Sequence, residues 1–450
     1  MRQWTFPVRH AWQHFWFRPV TADGFGMMRI AFGLCALTVY LLQMPYIWYY
    51  YSDKGIFPPQ LVSVMLRHGW RFSLLDFIHT PLSVSILYSV LIAALVCVTI
   101  GIFTRGALLV TAFLLFSFHE YSIVMLDGSD TILRLICFIL LLAPSGRAFS
   151  LESALSRFGS WQTHGHDTPH TNRQMPIWPY RLLLWQMICL YVSSAIGKMQ
   201  GDMWWNGTAV QSVLLHPWFS RVPPTLVHAW VEPISPILTI FTVLVQILWM
   251  GILILSLLRW LLPPPSRRFV PVDAYKRSMI FCGVLLHGGI AIFMDVGVFS
   301  YAMMTAYLGL LIDADFEALR GMFNGTTKPT VTILYDGQCR LCRRSIGMLS
   351  MLDWLHRLRL VDFHDAGARK KIAPTTSLAS LKHAMHAKLP NGKLAAGYFA
   401  FRATTWHLPF LWLLAPLLYI PGVTPIGKAV YAKIAANRLQ CSDGNCRLEK

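Results

Sequence analysis

The chain has 450 residues, of which 55% are hydrophobic and only 13% are charged, and Lys and Arg outnumber Asp and Glu by 39 to 21. Soluble globular proteins carry about 25% charged residues, so this composition excludes an ordinary soluble protein and predicts a polytopic membrane protein with a soluble appendage. In such a chain, excess basic residues indicate cytoplasmic loops that face anionic lipid, so we predict membrane lipid, and not nucleic acid, as a partner.

The first residues of the chain mix aromatic and basic side chains. Trp12, Trp16 and Phe17 stand among Arg9 and Arg18. This mixture is typical of a helix that lies in the membrane interface. We therefore predict an interfacial helix over residues 1–24.

A predicted transmembrane domain occupies residues 25–315. A helix crosses a bilayer with ~20 apolar residues, and apolar stretches of about this length recur. The eight predicted spans are 25–46, 81–103, 106–126, 130–145, 181–199, 236–258, 278–296 and 298–313. Basic residues between the spans concentrate on the side of the N-terminus, which predicts that this side is cytoplasmic. Eight spans return the C-terminus to the cytoplasm, and the loop Gly159 to Pro179 on that side is predicted to be flexible.

Ionisable side chains inside the spans are costly and therefore mark candidate sites. The candidates are His119, Glu120, Asp130, Arg134 and His287, with Lys198 at the end of the fifth predicted span. Structural roles stay open: Asp130 and Arg134 have the i, i+4 spacing of a helix ion pair, and Lys198 suits snorkelling at a span end. His287 suits a hydrogen-bonded interior histidine. Alternatively, Lys198, His119 and Glu120 lie at the rim of an apolar cavity for a quinone-like ring.

The sequence around Lys198 resembles a known membrane region. Ala195-Ile196-Gly197-Lys198-Met199-Gln200-Gly201-Asp202 and the following Trp205-Asn206-Gly207 are similar to the region shared by vitamin K-dependent γ-carboxylases and their bacterial relatives, the HTTM family. The resemblance implies a multi-pass protein of the bacterial cytoplasmic membrane, a vitamin K-like quinone that is not covalently bound, and Lys198 as a catalytic base. Two departures argue against carboxylation itself. Gly128-Ser129-Asp130 stands where the carboxylases have an asparagine-histidine motif, and their substrate-holding domain is not recognisable.

The character of the sequence changes after the last predicted span. Residues 316–329 are predicted to be a linker, and residues 330–450 an α/β thioredoxin-like domain. Its first strand covers Val331 to Tyr335 and its second covers Leu358–Asp362, with a hairpin around Pro390-Asn391-Gly392. The fold class is therefore an α-helical membrane protein with about eight spans and a C-terminal thioredoxin-like domain.

Two cysteines stand between the first of these strands and a predicted helix. Cys339 and Cys342 lie at the helix entrance, where free N–H groups stabilise a thiolate, and Arg340, Arg343 and Arg344 add positive charge. We predict Cys339 as the exposed nucleophile and Cys342 as the resolving thiol. Half of a zinc site, completed by Cys441 and Cys446, or a chance pair are the alternatives. Cys441 and Cys446 form either an electron relay or a passive pair.

The same segment resembles a second family. Asp336-Gly337-Gln338-Cys339-Arg340-Leu341-Cys342 is similar to the D-x-x-C-x-x-C signature of the DCC family of thiol-disulfide oxidoreductases, and the resemblance continues through Gly397-Tyr398-Phe399-Ala400 and residues 431–438. It implies catalytic roles for Asp336, Cys339 and Cys342, and a protein thiol or disulfide as partner.

Three functions follow from these patterns. The leading prediction is a membrane-bound thiol-disulfide oxidoreductase whose dithiol is coupled to a quinone-like substrate in the membrane domain, with no bound metal and no covalent cofactor. One alternative is a carboxylase-like enzyme that uses reduced quinone. The other is a non-enzymatic accessory for the maturation or export of a secreted peptide.

Overall fold

The computed structural model describes residues 5–65, 72–121, 127–164, 173–262, 266, 269–324, 331–353, 355, 357–436, 439–442 and 445–448. The chain divides into two units. Unit 1 comprises Met1–Leu151 and Arg173–Asp313, and unit 2 comprises Glu152–Asn172 and Ala314–Lys450.

Unit 1 is built from helices. Their bounds are Thr5–Phe17, Asp23–Gln43, Ile47–Tyr51, Pro59–Met65, Pro81–Ile100, Thr104–Tyr121, Gly128–Leu142, Trp178–Lys198, Asp202–Trp205, Ala209–Leu215, Pro224–Leu226, Ser235–Leu248, Met250–Leu261, Val272–Phe293 and Phe299–Gly309. Two short strands, β1 (Pro19–Thr21) and β2 (Gln174–Pro176), pair antiparallel. The predicted interfacial segment thus contains a helix, although its position in an interface stays a prediction.

Four helices are long and apolar enough to cross a membrane. They are Asp23–Tyr51, Pro81–Ile100, Pro224–Leu261 and Val272–Phe293, among the residues that the structure describes. The composition-based prediction of a membrane protein is therefore supported. The predicted count of eight is not, because the helices at 106–126, 130–145, 181–199 and 298–313 are too short or too polar for the same criterion.

The helix Pro81–Ile100 shows how the sequence sets its ends. The Thr80 hydroxyl accepts a hydrogen bond from Ser83 N–H, and Pro81 occupies the first turn, where its missing N–H costs nothing. The helix ends at Gly101, which has φ +78. A side chain there would also overlap the guanidinium of Arg29, which is buried and donates hydrogen bonds to the carbonyls of Val98 and Phe149. This buried arginine is thus held by backbone acceptors.

Unit 2 contains a four-stranded mixed sheet in the order β4-β3-β5-β6. The strands are β3 (Val331–Tyr335), β4 (Leu358–Asp362), β5 (His386–Lys388) and β6 (Leu394–Ala396), and β3 runs parallel to β4 and antiparallel to β5. The two predicted strands and the predicted hairpin are confirmed. Asn391 and Gly392, with φ +80 at the glycine, form the turn between β5 and β6.

Helices flank this sheet. Their bounds are Asp313–Asn324, Arg340–Leu352, Ala366–Ile372, Leu378–His383, Tyr398–Thr405 and Val423–Ala436. We call Arg340–Leu352 the redox helix and Val423–Ala436 the C-terminal helix. The predicted linker 316–329 is wrong in its first part, which is helical through Asn324, and residues 325–329 lie outside the described residues.

A helix from the middle of the chain completes unit 2. This loop helix, Leu151–His164, lies between the fourth and fifth predicted spans, and its Trp161 is only 4% exposed against Val331, Ile333 and Leu349. Gly347 leaves room for the indole, since a Cβ there would lie 2.9 Å from Trp161 Cγ. The predicted flexible loop is therefore wrong over residues 159–164, and residues 165–172 lie outside the described part of the chain.

Candidate functional site

The two cysteines of the C-x-x-C motif lie where β3 passes into the redox helix. Cys339 caps this helix, and its Sγ accepts a hydrogen bond from Cys342 N–H at 3.4 Å. The loop before it turns tightly because Gly337 N–H donates to Asp362 Oδ1 at 3.1 Å, and a Cβ on Gly337 would overlap the Asp362 carboxylate. The predicted order of strand, loop and helix is confirmed.

The exposure of the two thiols is the reverse of the prediction. Cys339 is buried, with 2% of its surface exposed, whereas Cys342 is half-buried, and both are free thiols. The physical reason is the capping geometry. The Cys339 sulfur is turned back over the end of the helix toward an N–H group, while Cys342 lies in the first turn of the helix.

Cys339 is a strong acid for a thiol. The pKa of Cys339 is lowered from 9.0 to about 6, first by the hydrogen bond from the Cys342 thiol and then by the N–H groups of Cys342 and Leu341, against the opposing effect of burial. The Asp336 carboxylate acts in the opposite direction and raises this pKa. Hydrogen bonds at the helix start thus stabilise the thiolate, and the contribution of the three arginines stays a prediction.

Asp336 organises the loop that carries Cys339. Its Oδ1 accepts hydrogen bonds from Gln338 N–H at 2.9 Å and Cys339 N–H at 3.2 Å, and it lies 2.9 Å from His364 Nε2. His364 was not predicted from the sequence. The signal was present, because His364 follows the second predicted strand by two residues, and the carboxyl ends of neighbouring parallel strands meet at one edge of a sheet.

Cys441 and Cys446 lie opposite each other in a C-terminal hairpin. The strands β7 (Leu439–Ser442) and β8 (Asn445–Leu448) pair antiparallel with Cys441 in register with Cys446. The backbone of β7 runs beside the redox helix. The two cysteines thus occupy a facing pair of positions near the helix that bears Cys342.

The candidates in the third and fourth predicted spans form two separate pairs. His119 Nε2 lies 3.2 Å from Asp130 Oδ1 and 2.7 Å from the Tyr40 hydroxyl. Arg134 donates to Glu120 at 2.8 Å. The i, i+4 ion pair of Arg134 with Asp130, one of the alternatives left open above, is not formed among the described residues, because the Asp130 carboxylate accepts Asp127 N–H in a capping box and contacts His119.

Lys198 and His287 have other partners. Lys198 Nζ donates to Ser194 Oγ at 2.6 Å and lies 5.2 Å from the Trp204 ring centroid. His287 Nε2 lies 2.9 Å from the Tyr191 hydroxyl. A groove of about 710 Å³ in unit 1 runs past Cys35 and Tyr307, and Lys198, His119 and Glu120 are not among its lining residues. The predicted cavity with these three side chains at its rim stays a prediction.

The zinc alternative stays a prediction, because the side chains of Cys441 and Cys446, its second pair of ligands, lie outside the part of the chain that the structure describes. Among the side chains that the structure describes, no group of three or more His, Cys, Asp or Glu is placed to hold a metal ion. The geometry around Cys339 instead shows a thiol whose hydrogen bonds favour its ionised form, which is the chemistry of disulfide exchange.

Comparison with known protein families found a match in this part of the chain. Residues 333–443 match the model of the family described as DCC1-like thiol-disulfide oxidoreductase. The match covers the C-terminal part of the chain, including Cys339 and Cys342, and supports thiol-disulfide oxidoreductase activity there. No curated protein and no solved structure matched the chain. The resemblance of residues 20–315 to the HTTM family stays a prediction.

Proposed function

We infer that this chain is a membrane-bound thiol-disulfide oxidoreductase whose unit 2 exchanges a dithiol for a disulfide with a protein partner. One observation carries the proposal. Cys339, at the start of the redox helix, has a pKa lowered to about 6 by the thiol of Cys342, so it is ionised at neutral pH beside the group that can close a disulfide.

The exchange proceeds in two displacements. The Cys339 thiolate attacks one sulfur of a partner disulfide, the partner's S–S bond breaks, and its electron pair leaves on the other partner sulfur, which takes a proton. The Cys342 sulfur, after losing its proton, then attacks Cys339 in the mixed disulfide and releases the second partner sulfur. The partner gains two electrons and two protons, and Cys339 and Cys342 form a disulfide. The same steps in reverse oxidise a partner dithiol.

A trapping experiment tests these roles. The full chain in lipid nanodiscs is reduced, freed of excess reductant and mixed with a water-soluble disulfide peptide. Cys342→Ser should accumulate a mixed disulfide on Cys339, and Cys339→Ser should accumulate none. Cys189→Ser, which alters an exposed cysteine of unit 1, serves as the matched control and should behave as the unaltered chain. A mixed disulfide that forms through Cys342 in the Cys339→Ser chain would reverse the assigned roles, and no exchange by the unaltered chain would refute the function.

A cytoplasmic location of unit 2 is part of the proposal, and the loop helix supports it. Trp161 of this helix shares a hydrophobic core with Val331 of β3, so the helix and the redox fold belong to one side of a membrane. Basic residues predict that this side is the cytoplasm. A chain that retains only Cys342 should react with a membrane-impermeant maleimide in permeabilised cells and not in intact cells. Labelling in intact cells would contradict this location.

Cys441 and Cys446 are proposed as an electron relay to the redox helix. Opposed residues of an antiparallel pair have Cα atoms ~4.5–5.5 Å apart, which a disulfide can span. The course of β7 beside the redox helix supports exchange between the two pairs. Replacing both cysteines by serine should slow multiple turnovers several-fold and leave the first turnover unchanged. Unchanged multiple turnovers would identify them as a passive pair.

A further inference from the structure

A cavity of about 530 Å³ lies within unit 2 beside the reactive cysteines. The end of β3, the redox helix and the C-terminal helix supply its walls, and Cys342 is one of the lining residues. The half-buried position of Cys342 therefore faces a space large enough for a small molecule.

The cavity wall is apolar in character. Polar side chains in it are already bonded within the protein: Ser345 donates to the Leu341 carbonyl at 3.0 Å, and Tyr398 donates to the Leu418 carbonyl at 2.9 Å. Tyr431 accepts a hydrogen bond from Met385 N–H at 3.0 Å. Lysine and arginine are not among the lining residues, and the carboxylate of Asp336, which is, already accepts hydrogen bonds from Gln338 N–H and Cys339 N–H. A charged ligand such as a glutathione disulfide would lose its hydration without compensation, so the cavity suits an uncharged, apolar ligand.

The mouth of the cavity is apolar as well. Ile426, Val430 and Ile434 line it from one face of the C-terminal helix, at i, i+4 and i+8, yet they are 64%, 53% and 51% exposed. Leu413 and Leu417, in the segment before this helix, are also exposed. An apolar ligand can approach the cavity along this surface.

One polar group in the wall is available to a ligand. Tyr335, at the end of β3, lines the cavity, and its hydroxyl makes no hydrogen bond among the residues that the structure describes. Burial raises the pKa of this phenol, which therefore stays protonated and able to donate. An uncharged acceptor such as a carbonyl oxygen would satisfy it.

We propose that this cavity binds a lipid-soluble quinone, with its ring against Cys342 and a carbonyl oxygen on the Tyr335 hydroxyl. The proposal rests on the thiol-disulfide function of unit 2 and names its lipid-soluble substrate. A dithiol supplies two electrons and two protons, and a quinone is an uncharged, planar molecule that takes up both in an apolar environment. The proposal puts the quinone site in the redox unit, whereas the sequence analysis predicted it in the membrane domain.

The electrons of the redox step balance within the two cysteines and the quinone, and water completes the proton balance. The Cys342 sulfur adds to a ring carbon of the quinone and forms one S–C bond. The Cys339 thiolate attacks the Cys342 sulfur, the S–C bond breaks, and its electron pair stays on the ring while the S–S bond forms. The Cys342 proton ends on one quinone oxygen, and the other oxygen takes a proton from water, in place of the one that Cys339 released when it ionised. The quinone is thereby reduced to a quinol, and the dithiol is oxidised to the Cys339–Cys342 disulfide.

Single-turnover reduction of decylubiquinone, a fully substituted quinone that thiols do not permanently alkylate, tests the proposal. The reduced full chain in nanodiscs, freed of reductant and oxygen, should convert one equivalent of quinone, followed by ultraviolet absorbance. Val430→Trp places an indole at the cavity mouth. It should lower the ratio of the rate with quinone to the rate with a water-soluble disulfide peptide about tenfold. Lys433→Trp, on an exposed position of the same helix outside the cavity lining, is the matched control and should leave both rates unchanged.

The outcomes separate this proposal from the function on which it rests. Exchange with the disulfide peptide but no quinone reduction would overturn the quinone site and leave the oxidoreductase function standing. No reaction with either substrate would refute the oxidoreductase function. Quinone reduction that Val430→Trp does not slow would also overturn the site. The site would likewise be overturned if the chain reduced the apolar disulfide lipoamide but not quinone, and if Val430→Trp slowed the reduction of lipoamide. Tyr335→Phe should raise the KM for quinone several-fold, and an unchanged KM would remove the hydroxyl from the site.

Discussion

Removal of the Cys342 thiol should make Cys339 a weaker acid. The thiol of Cys342 is the largest cause of the lowered Cys339 pKa of about 6. A hydrogen bond to a charged group contributes ~1.5–3 kcal/mol, and one pKa unit corresponds to ~1.36 kcal/mol. Cys342→Ala should therefore raise the Cys339 pKa by about 1–2 units, because only the backbone N–H donors at the helix start remain.

Cys342→Ser is the matched variant, since its hydroxyl can still donate to the Cys339 sulfur. Its Cys339 pKa should stay below that of Cys342→Ala. The assay is the rate of iodoacetamide alkylation between pH 4 and 10, measured on the Cys339 peptide by mass spectrometry so that the other free cysteines do not contribute. An alkylation midpoint that is the same in Cys342→Ala as in the unaltered reduced chain would refute the assignment of the thiolate to this hydrogen bond.

Three further predictions concern stability and the loop. Because the folded pKa of Cys339, about 6, lies below its ordinary value of 9.0, the reduced unit 2 should gain ~1.4 kcal/mol of stability per pH unit as the pH rises from about 6 to 9. This stabilisation falls away as the pH is lowered from 9 and is gone below about pH 6. Urea denaturation at several pH values should show the slope, and Cys339→Ser should remove it. Trp161→Ala should destabilise unit 2 by ~3–5 kcal/mol, seen as faster proteolysis within residues 331–436, and unchanged proteolysis would contradict the shared core. Gly337→Ala should abolish trapping of the mixed disulfide, because its Cβ overlaps Asp362, whereas Gly392→Asn, at a turn with open space around it, should retain trapping.

The local features of unit 2 could be predicted from the sequence. The strand β3 follows from its alternating residues, and the start of the redox helix follows from Cys339 and Cys342 before an apolar-periodic segment. Both patterns involve residues that are close in sequence, and both were predicted correctly. The burial of Cys339 could not be read in the same way. It depends on how the sulfur is oriented over the helix end, and the chain position alone predicted an exposed nucleophile.

Features that depend on distant parts of the chain were missed. His364 reaches Asp336 only because β3 and β4 pair in the register that sets Tyr335 beside Asp362. In the membrane unit, the i, i+4 spacing of Asp130 and Arg134 left a helix ion pair open as one alternative. Partners on the preceding helix, His119 and Glu120, take the two side chains instead.

The contribution of the loop helix to unit 2 determines the order in which the parts of unit 2 are synthesised and can fold. Trp161 leaves the ribosome roughly 170 residues before Val331, which at ~5–20 residues per second is roughly 10–30 s earlier. During this interval the loop helix has no β3 to cover its indole, while the helices between them are being inserted. The redox fold is therefore assembled last, around the loop helix, which is synthesised early. A chain that stalls before Val331 carries an exposed apolar helix face that quality-control proteases can recognise.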